Sequence, residues 1–269
     1  MLRTLTTSVR PLSSPGHIPL HSPFTRSTLN KIRHILESTY TKETNLKPTP
    51  KSAAVLVPFC NVNGKPGILL EVRGKLRTHS GEVSFPGGRI DKTDASSLDA
   101  ALRETEEEIG VHRSRIEILG RFGPAEKSLA GMRVWPYVGF IYPQSSTDYN
   151  SFGDDEPLPS ISLKDLTLSQ REVAHAFHLP LSATVSPPRL HNYLFRGARP
   201  YFAVDASDII SGHGDDVVSS SSSQDDTVEW SIDPHQRDEI GGGKEGRLEV
   251  WGLTGWYLTS LFRTLGIYD

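Results

Sequence analysis

The sequence predicts an α/β domain in which a mixed β-sheet lies between α-helices. Short apolar runs with the composition of strands alternate with helical patterns, which favours a sheet covered by helices. Some of these runs are separated only by short turn segments, which favours antiparallel hairpins within the same sheet. The 269 residues are enough for one such domain with a full core, together with extensions.

The first part of the predicted domain consists mainly of strands. Residues 53–62 are rich in β-formers, 63–67 supply turn residues and 68–74 form a second strand, so the three segments predict a hairpin. The other elements predicted here are strands over 82–85, 115–122 and 133–142 and a helix over roughly 97–109.

The second part of the predicted domain begins with a short helix over 168–181. Ser169 followed three residues later by Glu172 is a capping signal, which places the start of that helix. The remaining elements are a hairpin formed by 192–195 and 201–206, a strand over 248–253 and an amphipathic helix over 254–266.

The N-terminal residues have the composition of a targeting sequence. From Met1 to Leu36 there is no Asp or Glu, whereas basic and hydroxyl side chains are frequent. This composition predicts a mitochondrial transit peptide over 1–24, and the alternative is a disordered tail on a cytoplasmic protein. Residues 25–49 are predicted to hold a short helix, over 25–39, and a polar linker.

The domain itself is predicted over 50–266. Within it, 207–246 is rich in Ser, Asp and Gly, which predicts a disordered insertion. No apolar stretch approaches the roughly 20 residues that cross a bilayer, so no membrane partner is predicted. The net charge of -3 argues against a basic surface that binds nucleic acid and leaves a small phosphorylated molecule as the expected partner.

The predicted helix over 97–109 has an acidic face that indicates a metal site. Glu104, Glu107 and Glu108 stand at i, i+3 and i+4, so their carboxylates converge within about one turn. Like charges at this spacing repel each other, and a hard divalent cation such as Mg2+ would neutralise them. Arg103 can pair with Glu107 four residues later and orient it. The alternative is a solvated acidic face without a ligand.

The segment from Arg103 to Val111 resembles the second half of the Nudix box. There, Arg-Glu, a hydrophobic residue, any residue, Glu-Glu, any residue, Gly and a hydrophobic residue follow in order, and only Thr105 departs from the pattern. The first half also matches, because Gly88 and Asp94 keep the family's interval between a glycine and an acidic residue. The chain is thus similar to Nudix hydrolases, and the resemblance implies the Nudix fold, with its mixed sheet sandwiched between helices.

The same resemblance implies roles for the helix residues. Glu104, Glu107 and Glu108 would ligate Mg2+ or Mn2+, with Arg103 beside them. The metal would lower the pKa of a bound water that attacks a phosphorus atom of a diphosphate.

Residues outside the helix are expected to complete the site. Gly87 and Gly88 would let the preceding backbone approach the metal and the substrate closely. Glu172 is a candidate fourth carboxylate, although its capping position also suits a structural role. Asp94 and Asp91 could orient the site or could simply cap the turn into the helix.

Residues 69–88 resemble the signature of the coenzyme A diphosphatase branch, of the mitochondrial or peroxisomal type. Glu71 departs from the signature, which has threonine there, Gly74 replaces serine or alanine, and one residue is missing after Gly74. The eight residues between Asp94 and Arg103, one more than the general box has, are also typical of this branch. The positions that match are Leu69, Leu70, Arg73, Arg77, Gly81 and Phe85-Pro86-Gly87-Gly88.

This second resemblance implies a substrate. Arg73 and Arg77 would bind phosphate oxygens with their guanidinium groups. The implied reaction is hydrolysis of coenzyme A or an acyl derivative to a 4′-phosphopantetheine product and adenosine 3′,5′-bisphosphate. One alternative is a Nudix diphosphatase for nucleotide sugars, dinucleotides or nucleoside triphosphates. Another is a Nudix-fold binding module without catalysis, against which the complete set of helix glutamates argues.

Overall fold

The structure is a computed structural model that describes residues 18–40, 51–74, 81–149, 151–211, 216–220 and 247–269. These residues form two β-sheets and the helices around them. The helices are α1 Arg26–Thr39, α2 Ser97–Ile109, α3 Leu181–Thr184, α4 Ser207–Ser211 and α5 Gly252–Thr264. The strands are β1 Ser52–Val62, β2 Lys65–Arg73, β3 Val83–Ser84, β4 Gly87–Arg89, β5 Ile116–Arg121, β6 Glu126–Lys127, β7 Arg133–Ile141, β8 Val173–Pro180, β9 Leu190–Phe195, β10 Arg199–Asp205, β11 Val217–Ser219 and β12 Glu249–Val250.

The larger sheet is mixed, as the sequence predicts. Its strands follow the order β11-β8-β2-β1-β7-β5, with β3 paired to β2, β4 to β1 and β6 to β7. The pairing of β1 with β7 is parallel, and the other pairings are antiparallel. The smaller sheet has the order β12-β10-β9. The predicted fold class is therefore confirmed.

The hairpin of β1 and β2 is closed by a tighter turn than the predicted 63–67. Asn63 and Gly64 have φ values of 50° and 74°, and Val62 pairs with Lys65. A two-residue turn with positive φ at both positions matches the right-handed twist of the strands, and Asn-Gly is its preferred sequence. For this reason Pro66 and Gly67 belong to β2 rather than to the turn.

Alternate residues of the central strands face two separate cores. Val57 and Phe59 of β1 pack in the cluster that contains α1 and α5 side chains. Leu56 and Cys60, on the opposite face, pack in a cluster with Leu102 of α2. Because successive strand residues point to opposite faces, the sheet lies between α2 on one side and α1 and α5 on the other.

The helix predicted over 168–181 is wrong. Ser169 to Glu172 form a turn, in which the Glu172 N–H donates to the Ser169 carbonyl over 3.1 Å, and strand β8 follows. β8 lies between β11 and β2 and is buried on both faces in its second half, so its apolar run lacks the alternation that marks a half-buried strand. The capping signal is a turn signal as well, because short polar side chains favour both.

The predicted boundary of the N-terminal segment at residue 24 is also wrong. Ile18 and Phe24 are 3% and 0% exposed and belong to the same core as α1 and α5. Asn61 fixes this segment, because its side-chain oxygen accepts from the Phe24 N–H over 2.8 Å. The helix predicted over 25–39 is present as α1 and packs in that core, so it belongs to the domain. The rest of the predicted transit peptide, residues 1–17, and the linker residues 41–50 lie outside the described residues.

The predicted disordered insertion over 207–246 begins too early. Residues 207–211 form α4, and β11 pairs with β8 at the edge of the large sheet. The parts of that prediction over 212–215 and 221–246 lie outside the described residues. Among the helices that the structure describes, none has the length and apolarity needed to span a membrane.

Candidate functional site

Helix α2 is fixed against the sheet by its caps and its buried face. Ser96 caps the first turn by accepting from the Asp99 N–H over 3.1 Å, and Gly110 ends the helix with φ 71°. Thr105 is fully buried where the family usually has an aliphatic residue. Its hydroxyl donates to the Ala101 carbonyl over 2.7 Å, so the departure from the pattern leaves no polar atom unsatisfied.

Glu108 is the most deeply placed of the helix glutamates. It is 4% exposed, and its Oε2 accepts from the Gly87 backbone N–H over 2.7 Å. Strand β4 brings Gly87 there by pairing with β1 beside Val55. Gly87 has φ 148°, and a Cβ at this position would lie 2.3 Å from the Ala54 carbonyl oxygen, so only glycine fits.

Glu104 packs directly on the second glycine of the same strand. A Cβ on Gly88 would lie 2.5 Å from the carboxyl carbon of Glu104, so a side chain there would displace the carboxylate. The two adjacent glycines that the sequence singles out therefore act on different carboxylates: Gly87 binds Glu108, and Gly88 makes room for Glu104.

Arg103 connects the helix to the loop before it. Its guanidinium donates to both carboxylate oxygens of Asp94, each over 3.0 Å, and also to the Arg89 carbonyl. The same group lies 3.0 Å from Glu104 and 3.2 Å from Glu107. The predicted pairing of Arg103 with Glu107 is thus present. Asp94 is the stronger partner because its contact is bidentate.

Asp94 and Asp91 hold the turn into α2. The Asp91 N–H donates to Asp94 Oδ2 over 2.7 Å. Hydrogen bonding to Arg103 lowers the pKa of Asp94, and this keeps the carboxylate ionised. Asp94 therefore positions Arg103, and of the two roles that the sequence left open for these aspartates, the structure favours orientation of the site for Asp94 and a turn for Asp91.

Glu71 is part of the site, and the sequence prediction missed it. It lies in β2 at 1% exposure, where its Oε1 accepts from the Ser84 hydroxyl over 2.9 Å. Its Oε2 is buried without a hydrogen-bond partner in the described part of the chain. The available signal was a lone acidic residue inside the apolar run 68–72, where a charge needs a partner.

The carboxylates of this site raise each other's pKa. Burial is the main cause of the raised pKa of Glu71, Glu104 and Glu108. The charge of Glu71 adds to the effect at Glu108, and the charge of Glu172 adds to it at Glu71 and Glu104. Burial together with repulsion disfavours the ionised forms and favours a bound proton or cation.

Glu172 reaches the site from the turn before β8. Its side chain is exposed, and its carbonyl accepts from the Gly74 N–H over 2.7 Å. The predicted role as a helix cap is wrong, because no helix begins there. Its charge contributes to the raised pKa of Glu71 and of Glu104, and its role as a fourth carboxylate stays a prediction.

The donor set fits a hard divalent cation, although it is not assembled as a ligand cage. Carboxylate oxygens are the ligands that Mg2+ and Mn2+ prefer, and Glu71 Oε2 is a buried oxygen that needs a partner. Within the described ranges, no three His, Cys, Asp or Glu side chains stand close enough together to hold a metal as they are. Glu107 contacts Arg103 and lies at the surface, with 56% of its side chain exposed.

Of the two predicted substrate-binding arginines, the structure describes one. Arg73 ends β2, and its Nε is buried without a hydrogen-bond partner in the described part of the chain. Its charge lowers the pKa of Glu71 and Glu108, which places it beside the carboxylates. Arg77 falls within 75–80, outside the described residues, so its predicted role stays a prediction.

Comparison with known proteins assigns the family. The model of the NUDIX domain matches residues 50–188. The chain is 38% identical over 142 residues to the uncharacterized Nudix hydrolase NudL of Escherichia coli strain K12, covering 52% of this chain and 63% of that protein. The chain is 37% identical to the NudL of Citrobacter koseri, and this match also covers 52% of this chain and 63% of that protein. The chain thus spans less than two thirds of the length of these relatives.

A solved structure shows a weaker likeness. The chain is similar to a Caenorhabditis elegans Ap4A hydrolase binary complex, with 20% identity, coverage of 50% of this chain and 83% of that one, and a TM-score of 0.37. The family assignment comes from the sequence match, which covers half of the chain and contains α2, β4 and the glutamates described above. The chain belongs to the Nudix domain family.

Proposed function

We propose that this chain is a divalent-cation-dependent hydrolase of a diphosphate linkage, with coenzyme A or an acyl derivative as substrate. The observation that carries the hydrolase proposal is that the buried carboxylate of Glu108 and the half-buried carboxylate of Glu104 pack against Gly87 and Gly88. Burial without full pairing costs several kcal/mol per charge, and a bound cation offsets this cost. Nudix enzymes generally use divalent metal ions, and Mg2+ or Mn2+ suits these oxygen donors.

The helix glutamates and Arg103 have separate tasks in this proposal. Glu104, Glu107 and Glu108 would hold the cation, which supplies Lewis acidity and an activated water when it is bound. The Gly87 N–H fixes the direction of the Glu108 carboxylate. Arg103, itself held by Asp94, sets the positions of Glu104 and Glu107. Glu172 has the exposure needed to accept a proton from the attacking water and pass it to solvent.

Arg73 supports a phosphate-rich substrate. Its guanidinium is at the end of β2 beside the carboxylates, and its buried Nε lacks a hydrogen-bond partner in the described residues. A guanidinium binds phosphate oxygens in a fixed planar geometry. Coenzyme A carries a diphosphate and a 3′-phosphate, and the resemblance of residues 69–88 to the coenzyme A diphosphatase signature favours it over other diphosphates.

A nearby cavity supports the pantetheine part of this substrate. It has a volume of about 120 Å3 and lies between β3 and the smaller sheet, where Leu129, Phe195, Trp251 and Leu253 line it. Leu129 is 42% exposed, which is unusual for a large apolar side chain. The cavity borders Val83, which pairs with Val72 on the face of the sheet opposite Ser84 and Glu71, so the pantetheine arm would have to pass the end of β3 to enter it while the diphosphate lies at the carboxylates.

Turnover of three diphosphates tests the proposal. We expect hydrolysis of coenzyme A in the presence of Mg2+ to exceed that of ADP-ribose and NADH, with adenosine 3′,5′-bisphosphate as a product. Glu108→Gln should lower kcat at least a hundredfold, whereas Glu106→Gln, on the exposed side of the same helix, should leave it within twofold. Faster turnover of ADP-ribose or NADH contradicts the choice of coenzyme A. Binding without turnover of any diphosphate favours a binding module.

We also propose that the basic N-terminal residues direct the protein to mitochondria. The absence of acidic residues before Glu37 supports this location. Fusion of residues 1–40 to a fluorescent protein should give mitochondrial fluorescence, and the same fusion with Arg3 and Arg10 changed to Glu should be diffuse. Diffuse fluorescence of the unchanged fusion favours the cytoplasmic alternative.

A further inference from the structure

Strand β2 places Glu71 on the face of the sheet that α2 covers. Leu69, two residues earlier, packs in the cluster with Leu102 and Ile109 of α2, whereas Leu70 and Val72 pack in the core on the other face. Because side chains alternate along a strand, Glu71 points to the same side as Leu69. It therefore faces the helix that carries Glu104 and Glu108.

The hydrogen bonds of Glu71 do not explain why a charged residue, rather than a neutral one, occupies this buried position. Ser84 satisfies Oε1, and a glutamine at this position could accept the same hydrogen bond without a charge. Oε2 stays buried and without a hydrogen-bond partner among the residues described. A buried carboxylate with one unsatisfied oxygen is unfavourable unless a positive group binds it. The coenzyme A diphosphatase signature has threonine here, so the resemblance does not account for this carboxylate either.

We propose that Glu71 is an additional ligand of the divalent cation, and that it binds through Oε2 from the strand opposite the helix glutamates. A cation between β2 and α2 would then be held from both sides, by Glu71 and by Glu104 and Glu108. The raised pKa of Glu71, caused first by burial and then by the charges of Glu172 and Glu104, agrees with a carboxylate that needs a cation. Arg73 offsets part of that charge but leaves Oε2 without a hydrogen bond.

The inference rests on the metal part of the proposed function and is independent of coenzyme A as the substrate. Its test is binding of Mn2+ alone, measured by calorimetry and electron paramagnetic resonance on the full chain. Glu71→Gln should weaken Mn2+ binding at least tenfold, because it removes one charged ligand and keeps an acceptor for Ser84. Glu106→Gln, which removes an exposed charge from α2, should change binding less than twofold.

Stability without metal separates coordination from a structural role. The melting temperature of metal-free Glu71→Gln should equal or exceed that of the wild type, because the variant removes a buried charge. The rise in melting temperature on adding Mn2+ should be smaller in Glu71→Gln than in the wild type. Wild-type affinity for Mn2+ in a folded Glu71→Gln variant overturns the inference, as does a wild-type chain that binds no Mn2+.

A crystal of the wild-type chain grown with Mn2+ gives a second test that needs no variant. The anomalous peak of Mn2+ should lie at coordination distance from a Glu71 oxygen as well as from Glu108. A peak coordinated by the α2 glutamates but remote from Glu71 overturns the inference. Mn2+ binding that depends on Glu71, without hydrolysis of coenzyme A, supports the inference and contradicts only the substrate proposal.

Discussion

At the scale of single residues, the site depends on two backbone positions as much as on its carboxylates. Gly87 donates to Glu108, and Gly88 leaves room for Glu104. Both belong to a three-residue strand that pairs with β1, so the sheet determines where the helix carboxylates can lie. Substitution of either glycine should therefore lower activity by shifting a carboxylate, although no acidic residue is replaced.

Gly87→Ala should destabilise the chain by about 2 kcal/mol or more, because it combines a left-handed backbone with a clash against Ala54. Gly123→Ala is the matched control. Its φ of 61° is also positive, but nothing lies within 4 Å of its Cβ, so only the backbone strain of about 1 kcal/mol applies. Chemical denaturation measures both variants, and equal losses would show that the contact with β1 is not needed.

The raised pKa values of the buried glutamates predict how stability depends on pH. In a metal-free chain the folded state binds more protons than the unfolded state above the ordinary carboxyl pKa of 4.5, so unfolding free energy falls as pH rises. For Glu71 the fall should extend to its folded-state pKa of about 8. Glu71→Gln should flatten this part of the profile.

Mg2+ should reverse this trend, because the cation binds the ionised carboxylates. Thermal melts at pH 6 and pH 8 with and without Mg2+ measure the effect, and the gain in melting temperature should be larger at pH 8. A metal-free profile that rises through this range would contradict the placement of Glu71 and Glu108 as buried neighbours.

At the scale of elements, the connection from β4 to α2 positions the acidic face. Asp94 in this connection binds Arg103 with both oxygens, and Arg103 in turn contacts Glu104 and Glu107. The connection is one residue longer than in the general Nudix box. The hydrogen bond of Asp94 to the Asp91 N–H closes it into a turn.

Asp94→Asn should lower kcat about tenfold and leave the melting temperature within a few degrees. Asparagine keeps one acceptor but loses the bidentate charged contact, so Arg103 holds Glu104 and Glu107 less firmly. Asp148→Asn, a change of the same kind at an exposed position outside the site, serves as the control. Unchanged kcat in Asp94→Asn would show that Arg103 needs no support from the loop.

The elements differ in how far their sequence predicts them. Helix α2 has a cap, an apolar stripe and a terminal glycine, and the first hairpin has an Asn-Gly turn, so local signals suffice for both. Strand β8 has no such local signals. It is a strand because it pairs with β11 on one edge and β2 on the other, and local propensity does not reveal this pairing. Glu71 was missed for a related reason: its partner carboxylates lie in a distant segment, and only the pairing of β2 within the sheet brings them together.

At the scale of the whole molecule, the N-terminal segment completes the core opposite the site. Phe24 packs against Phe59 and Phe140, with ring centroids 5.2 and 5.8 Å apart. Asn61 is fully buried and binds the backbone of Phe24 and of Leu158, so it joins the N-terminal segment, β1 and a later loop.

Phe24→Ala should cost about 3–5 kcal/mol, because it leaves a cavity among aromatic side chains far along the chain from the carboxylates. Leu129→Ala, at an exposed position, should cost less than 1 kcal/mol. Urea unfolding of the two variants provides the comparison. A small loss for Phe24→Ala would mean that residues 18–24 are not part of the folded unit.

The burial of Ile18 and Phe24 has a consequence for proteolytic maturation. A peptidase that cuts before residue 18 would leave both of these buried side chains in the released chain. A cut after Phe24 would remove a core aromatic ring and break the hydrogen bond to Asn61. The mature N-terminus of a functional protein should therefore lie at or before Ile18, where N-terminal sequencing can locate it.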